Sequence, residues 1–365
     1  MRVLINRTDA IGDNILSMPI LYKIKKFFPE AQIYVLIHPR CVDLYLNHPC
    51  VTEIISYDRK ASVFTRFWQL LQIMKRLKLT HYFFLGGCRL PNWVAWLRRV
   101  PFRGGLISKT TSFLLLNQGV RQKRSIVAMH ESEYNLELLA PLGMEFHHQE
   151  LQEFAPQIYL TSEEKLQFRE DFAHFLVSEG KETSAEMVFI HPGMTGHTLN
   201  WSSRNYGRLI ARMERNFPGR FLFVISFTPS DEPYLKGLRD QLQYSPEGIP
   251  FERVVFFNGA LKGLRHYMSV LSEAHLFIGP STGTTHLANI LGVKAIALYS
   301  PIKVQSAMRW GPFHRQPHQL KLLVPDVVCG ESFTCAGNSC PYYECMAKIE
   351  VEDVIKQIPS LLESV

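Results

Sequence analysis

Nine short apolar runs separated by stretches of helical periodicity restrict this chain to an α/β architecture with parallel sheets. Four lie in the first half: Arg2–Ile5, Gln32–Ile37, Glu53–Tyr57 and His81–Leu85. Five lie in the second: Met187–His191, Arg220–Ser226, Arg253–Phe257, Leu276–Ile278 and Lys294–Tyr299. Helices are expected at Asn14–Phe28, Glu133–Leu142, Glu163–Leu176, Asn205–Asn216 and Val351–Leu362, the last able to pack on either half. The chain has 365 residues, more than one core usually organises. Two Rossmann-like domains facing a cleft are therefore expected, residues 1–155 and 156–365, with the linker in the polar stretch Glu145–Ile158.

Open α/β sheets bind their ligands beyond the carboxyl ends of the strands. The most informative such segment is Gly279–Asn289, GPSTGTTHLAN. An apolar strand ends at Gly279-Pro280, and Ser281, Thr282, Gly283, Thr284 and Thr285 then offer N–H groups and hydroxyls where a helix, His286–Leu291, opens. Unpaired donors and the positive end of the helix dipole suit an anion such as a nucleotide diphosphate. The same letters also describe an ordinary Ser/Thr-capped helix.

Three further loops have the same topological position. His191–Trp201 (HPGMTGHTLNW) is a Gly-, Thr- and His-containing turn able to present donors to phosphate. Ser226–Tyr234 (SFTPSDEPY) puts Asp231 and Glu232 at a helix start, as caps or as contacts to sugar hydroxyls. In the first half, Asn6–Asp13 ends in Gly12-Asp13, where the aspartate is either a dipole-favoured cap or a reactive carboxylate at a sheet edge.

Absent motifs eliminate several classes. No GxGxxG follows the first strand, and GxxxxGK[ST], GxSxG and HExxH are missing. No apolar run reaches spanning length and no signal-peptide pattern opens the chain, so a cytosolic protein is expected. Charge is uneven. Residues 1–130 hold 20 Lys+Arg against 6 Asp+Glu, a net of +14, and residues 131–365 hold 20 against 27, a net of −7. In Arg59–Lys78 and Trp93–Arg103 cations alternate with aromatic and aliphatic residues, which suits an anionic membrane surface or a phosphorylated acceptor as well as it suits ordinary core helices with solvated lysines. No nucleic-acid-binding pattern accompanies the charge. Cys329, Cys335, Cys340 and Cys345 lack the CxxC pairs usual for structural zinc, and packed free thiols are the expectation.

Together, NRTDAIGDNILSMP, HPGMTGHTLNW, FTPSDEP and FIGPSTGTTHLAN, in this order, resemble glycosyltransferase family nine, the ADP-heptose:lipopolysaccharide heptosyltransferases. The resemblance covers Arg2 to about Pro301 and implies a GT-B fold and inverting transfer without a metal or other cofactor. It also implies a nucleotide-heptose donor in the second domain and a lipid A-inner core acceptor at the first, at the cytoplasmic face of the inner membrane. By motif position, Asp13 resembles the family's catalytic base. Thr195 and Thr198, with the backbone near Gly193, match the phosphate-side loop, and Glu232 matches an acidic donor contact. Thr282, Gly283, Thr284 and His286 match the pyrophosphate cradle, and Leu261 falls where an apolar residue lies near the base. Two positions depart from the pattern. Leu199, followed by Asn200, stands where better-known members carry a lysine, and Ser281 where many carry an aspartate. A relative using another nucleotide sugar, a nucleotide-sugar epimerase and a non-catalytic nucleotide-binding protein are the alternatives.

Overall fold

The computed structural model describes residues 1–181, 184–194, 198–244, 251–329 and 334–363. The chain divides into two compact units, Met1–Tyr159 and Leu160–Val365.

The first unit is built on β1 (Arg2–Arg7), β2 (Gln32–Ile37), β3 (Glu53–Ser56), β4 (His81–Gly86), β5 (Phe102–Leu106) and β6 (Gln118–Val120). All pair in parallel, in the order β3-β2-β1-β4-β5-β6. Its helices are α1 (Ile11–Ile15), α2 (Pro19–Phe27), α3 (Val63–Leu77), α4 (Leu90–Leu97), α5 (Thr110–Leu115) and α6 (Glu131–Glu137). Strands β1, β2 and β4 are apolar on both faces because helices cover both sides of the sheet.

The second unit repeats the plan. Strands β7 (Glu186–Ile190), β8 (Phe221–Phe227), β9 (Val254–Asn258), β10 (Leu276–Pro280), β11 (Ala295–Leu298) and β12 (Leu320–Leu323) run parallel in the order β12-β11-β10-β7-β8-β9. Its helices are α7 (Ser162–Ser178), α8 (Ser203–Asn216), α9 (Glu232–Tyr244), α10 (Leu264–Ser272), α11 (Gly283–Ile290), α12 (Ala307–Trp310), α13 (Val351–Ile355) and α14 (Ile358–Leu362). In each sheet the strand order reverses beside the first strand, between β1 and β4 and between β7 and β10, and such reversal points are where doubly wound sheets open a crevice.

Three expectations are corrected. The helix expected over Asn14–Phe28 starts earlier, at Ile11, and breaks into α1 and α2, because Pro19 has no N–H to donate to Ile15 and opens a new helix instead. The final helix breaks for the same reason at Pro359, in the first turn of α14. It packs on the second unit, where Val354, Ile355, Ile358 and Leu361 join the core and the Trp201 indole donates to the Ile349 carbonyl at 2.8 Å. β5, β6 and β12 are strands that periodicity does not reveal. In α7, Glu164 is clamped in two-pronged fashion by Arg265 of α10 at 2.5 and 2.6 Å, which pulls its carboxyl down to about 2.

Candidate functional site

At the reversal point of the first sheet, β1 runs one turn of polar chain into α1. Arg7 closes the strand and is almost wholly buried. Its Nη1 donates to the Leu85 carbonyl at 2.6 Å, while Nη2 is bonded to Asp13 Oδ1. Asp9 lies 3.3 Å away and Glu131 3.8 Å, and Glu131 is shared with Arg124 at 2.5 Å. Burial by itself would weaken the Arg7 charge, yet Asp13, Asp9 and Glu131 together hold its pKa above the ordinary arginine range. Burial likewise pushes the Asp9 carboxyl up, against the pull of Arg7.

The loop is locked to the next strand. Thr8 Oγ1 accepts the Cys88 N–H at 2.8 Å, and Arg59 donates to the Thr8 carbonyl at 2.9 Å. A Cβ on Gly86 would stand 2.5 Å from Asp9 Oδ2 and 2.6 Å from Arg7 Nη1 and so displace this cluster, and Gly87, at φ +83°, holds a conformation that favours glycine. Asp13 sits in the first turn of α1 with its side chain about a quarter exposed. Among the described residues its Oδ2 accepts no hydrogen bond. Its Oδ1 serves Arg7, while its place in the first turn of α1 is also the one the helix dipole favours for an acid.

At the reversal point of the second sheet, the loops after β7 and β10 lie side by side, and a Cβ on Gly279 would approach the His191 carbonyl at 3.2 Å. The His191 ring nitrogen Nδ1 lies 2.9 Å from the Ser226 carbonyl, and burial lowers its pKa although Asp231 opposes this. Gly193 has no room for a side chain, because a Cβ would meet Asp231 Cγ at 2.3 Å. Asn200 braces the loop: its amide donates to the Pro192 carbonyl at 2.8 Å and accepts the Tyr206 hydroxyl at 3.3 Å. Thr195 lies outside the described residues, as does His197. Thr198 Oγ1 is buried with no hydrogen-bond partner among the described residues, and Leu199 packs on the core. An orphaned hydroxyl in this position is the kind of polar atom a ligand satisfies.

Across the reversal point, α11 opens at Gly283, three residues earlier than periodicity indicates, with Thr282 in the N-cap position. Its hydroxyl does not cap the helix; it lies 2.7 Å from Thr284 Oγ1, and among the described residues no side chain accepts from the first-turn N–H groups of Gly283 and Thr284. The Tyr299 hydroxyl, beside Ser281, donates to the Trp310 carbonyl at 2.9 Å, and the buried His286 lies on the first turn. One strand further out, Asp231 is tied up in a capping box with Thr228, accepting its N–H at 2.8 Å and its hydroxyl at 2.7 Å. Glu232 begins α9 and pairs with the exposed Arg239. Leu261, beyond β9, is almost fully exposed. Thus Gly193, Thr198, Asn200 and Ser281–Thr284 flank one crevice edge, with Glu232 and Leu261 progressively further along the same edge.

Sequence reasoning missed Arg7, Thr8, Asp9 and Glu131. The signal was a cation one residue beyond an apolar run, followed at once by a hydroxyl and an acid. The four tail cysteines line one cavity of about 360 Å³ with Leu199 and Asn200. Among the described residues no three metal-ligating side chains converge to hold an ion, and no helix is long and apolar enough to cross a membrane.

Residues 92–325 match the family model for glycosyltransferase family 9 (heptosyltransferase). The chain is 22% identical, over all of its length and 99% of the relative's, to lipooligosaccharide heptosyltransferase 2 of Campylobacter jejuni. Its fold is similar to that of a glycosyl transferase family 9 protein of Veillonella parvula, with TM-score 0.75, 18% identity and 100% and 97% of the two chains covered. It is equally similar to that of E. coli ADP-heptose LPS heptosyltransferase II, with TM-score 0.75, 17% identity and coverage of 100% and 99%.

Proposed function

The chain belongs to glycosyltransferase family 9, the heptosyltransferases, and from that membership we propose that it transfers a heptose, with inversion, from ADP-heptose to the inner core of a lipid A-linked acceptor. The observation that carries this reading is the unlike chemistry of the two reversal points. One presents a carboxylate oriented by a buried arginine, the other an uncapped helix start with adjoining hydroxyls.

An acceptor hydroxyl is far too weak an acid to attack unaided at neutral pH. Asp13 Oδ2 takes its proton as the oxygen attacks the anomeric carbon and the bond to the diphosphate breaks. Arg7 fixes the carboxylate through Oδ1, and because Asp9 and Glu131 share the same guanidinium, Asp13 is positioned without being the sole partner of that charge. A single in-line displacement inverts the anomeric centre. The departing ADP is stabilised by the N–H groups of Gly283 and Thr284 and by the Thr198 and Thr282 hydroxyls, with no metal and no cofactor in the scheme. Unit 1 takes the acceptor and unit 2 the donor, at the cytoplasmic face of the inner membrane.

Mass spectrometry of cell-envelope glycolipid from a strain lacking this protein tests the reading. A glycolipid truncated at one heptose is expected, and an unchanged glycolipid would overturn it. Leu199, packed on the core where the family pattern has a lysine, and Ser281 in place of an aspartate favour one second reading, a relative that uses another nucleotide sugar. Loss of a non-heptose sugar would select it.

A further inference from the structure

Connections β3 to β4, β4 to β5 and β5 to β6 all advance in one direction across the first sheet, so right-handed crossovers place α3, α4 and α5 side by side on one face. Their inner sides bury Leu70, Met74, Val94 and Ala95. Their outer sides are not polar. Phe64 is 71% exposed, Trp68 49%, Trp93 47% and Trp96 48%, with Phe113 and Leu114 beside them on α5. The rings are arranged in edge-on pairs, Phe64 with Trp68 at 6.1 Å and Trp93 with Trp96 at 6.4 Å. Isolated exposed apolar residues need no explanation, but six on three adjacent helices form a patch that a monomer rarely leaves bare.

Charge identifies what covers it. From Arg59 to His130 the chain has 14 Lys+Arg and no Asp or Glu. Lys60, Arg98, Arg99 and Lys109 flank the ends of these helices, exposed and without an ion-pair partner among the described residues. Aromatic rings rimmed by unpaired cations match a bilayer with anionic headgroups, where rings enter the interface and cations stay at phosphate level.

The position of the patch is functional. Each helix starts where its preceding strand ends, so Phe64 and Trp68 on the first two turns of α3, and Trp93 on the first turn of α4, adjoin the same carboxyl edge that carries Asp13.

We propose that the outer face of α3, α4 and α5 is a docking surface for an anionic phospholipid bilayer, holding the Asp13 edge of this unit next to the lipid surface. The proposal rests on the reading that the acceptor is lipid-linked, and it is tested without acceptor or donor, so the two can fail separately. The intact protein is mixed with vesicles of phosphatidylcholine alone or with phosphatidylglycerol. Co-sedimentation with the anionic vesicles only, released by salt, is expected, together with quenching of tryptophan emission by bromine on the acyl chains, which needs no variant. The quadruple variant F64S/W68S/W93S/W96S should lose at least ~100-fold in partitioning while binding ADP as wild type in calorimetry. Three results would overturn the proposal: no quenching and no sedimentation of wild type, equal binding to neutral vesicles, or equal binding by the variant. Concentration-dependent dimerisation abolished by the same substitutions would also overturn it, assigning the face to a second copy.

Discussion

Arg7 and Asp13, six residues apart, are joined by a direct hydrogen bond between Nη2 and Oδ1, and the arginine is almost wholly buried while the aspartate keeps a quarter of its side chain in solvent. This asymmetry separates the two roles. The arginine is a fixed anchor, and the carboxylate is an oriented group with one oxygen that accepts no hydrogen bond among the described residues.

Asp13→Asn is expected to reduce turnover at least ~100-fold, the scale of general-base assistance, with ADP affinity unchanged. Steady-state kinetics beside calorimetry separates the two. Parallel loss of both would make Asp13 a folding residue.

Arg7→Met should be far more damaging to stability than to any single contact. It leaves Asp9, Asp13 and Glu131 without their common counter-charge in a buried setting, a loss on the order of 3 to 5 kcal/mol. Urea unfolding measures it, and a change under 1 kcal/mol would show that the pairs are solvent-screened.

Thr198→Ala and Thr282→Pro address the phosphate cradle. Each removes a donor to an anion, worth roughly 1.5 to 3 kcal/mol, so ADP should bind about ten- to a hundredfold more weakly while adenosine binding is unaffected. Equal weakening of both ligands would remove these residues from the phosphate site.

Stability should fall as the solution is acidified below neutrality. His48 is enclosed by Tyr22, Tyr45 and Tyr159, and burial lowers its pKa from 6.5 to about 4. The unfolded chain binds this proton below 6.5 and the folded chain only near 4, so stability is full above 6.5 and lost between those values, by up to ~3 kcal/mol. His191 and His314, also lowered by burial, act with the same sign. Melting temperatures at pH 7 and pH 5 should converge for His48→Gln relative to wild type; an unaltered acid-induced drop would assign it to other groups.

Transfer should be indifferent to EDTA. The account gives diphosphate stabilisation to N–H groups and hydroxyls alone, so activity abolished by chelation and restored by magnesium or manganese would contradict it.

The central strands were readable because burial on both faces makes each a continuous apolar run. β5 was not, because its sequence is Phe-Arg-Gly-Gly-Leu. A side chain at Gly104 would strike the Phe83 ring, and Gly105, at φ +129°, lies against the Phe84 carbonyl. Both demands come from the neighbouring strand. β6 and β12 are short edges with one partner each. The helix breaks at Pro19 and Pro359 were visible as prolines, but an uninterrupted apolar periodicity on either side outweighed them. At the candidate site, the Ser281–Thr284 loop was readable as a strand end turning into a helix start, whereas local chemistry left Asp13 between cap and reactive carboxylate and the family resemblance alone chose between them. Arg7 was not, since its burial depends on Glu131, brought close by the fold from 124 positions away.

The most direct test is a single-turnover reaction of the purified protein with ADP-heptose and a lipid A-inner core acceptor, followed by mass spectrometry of the acceptor. The account predicts a gain of one heptose with wild type, and none with an Asp13→Asn protein that still binds ADP. A gain seen only with a different nucleotide sugar, or an undiminished gain with the variant, would contradict it.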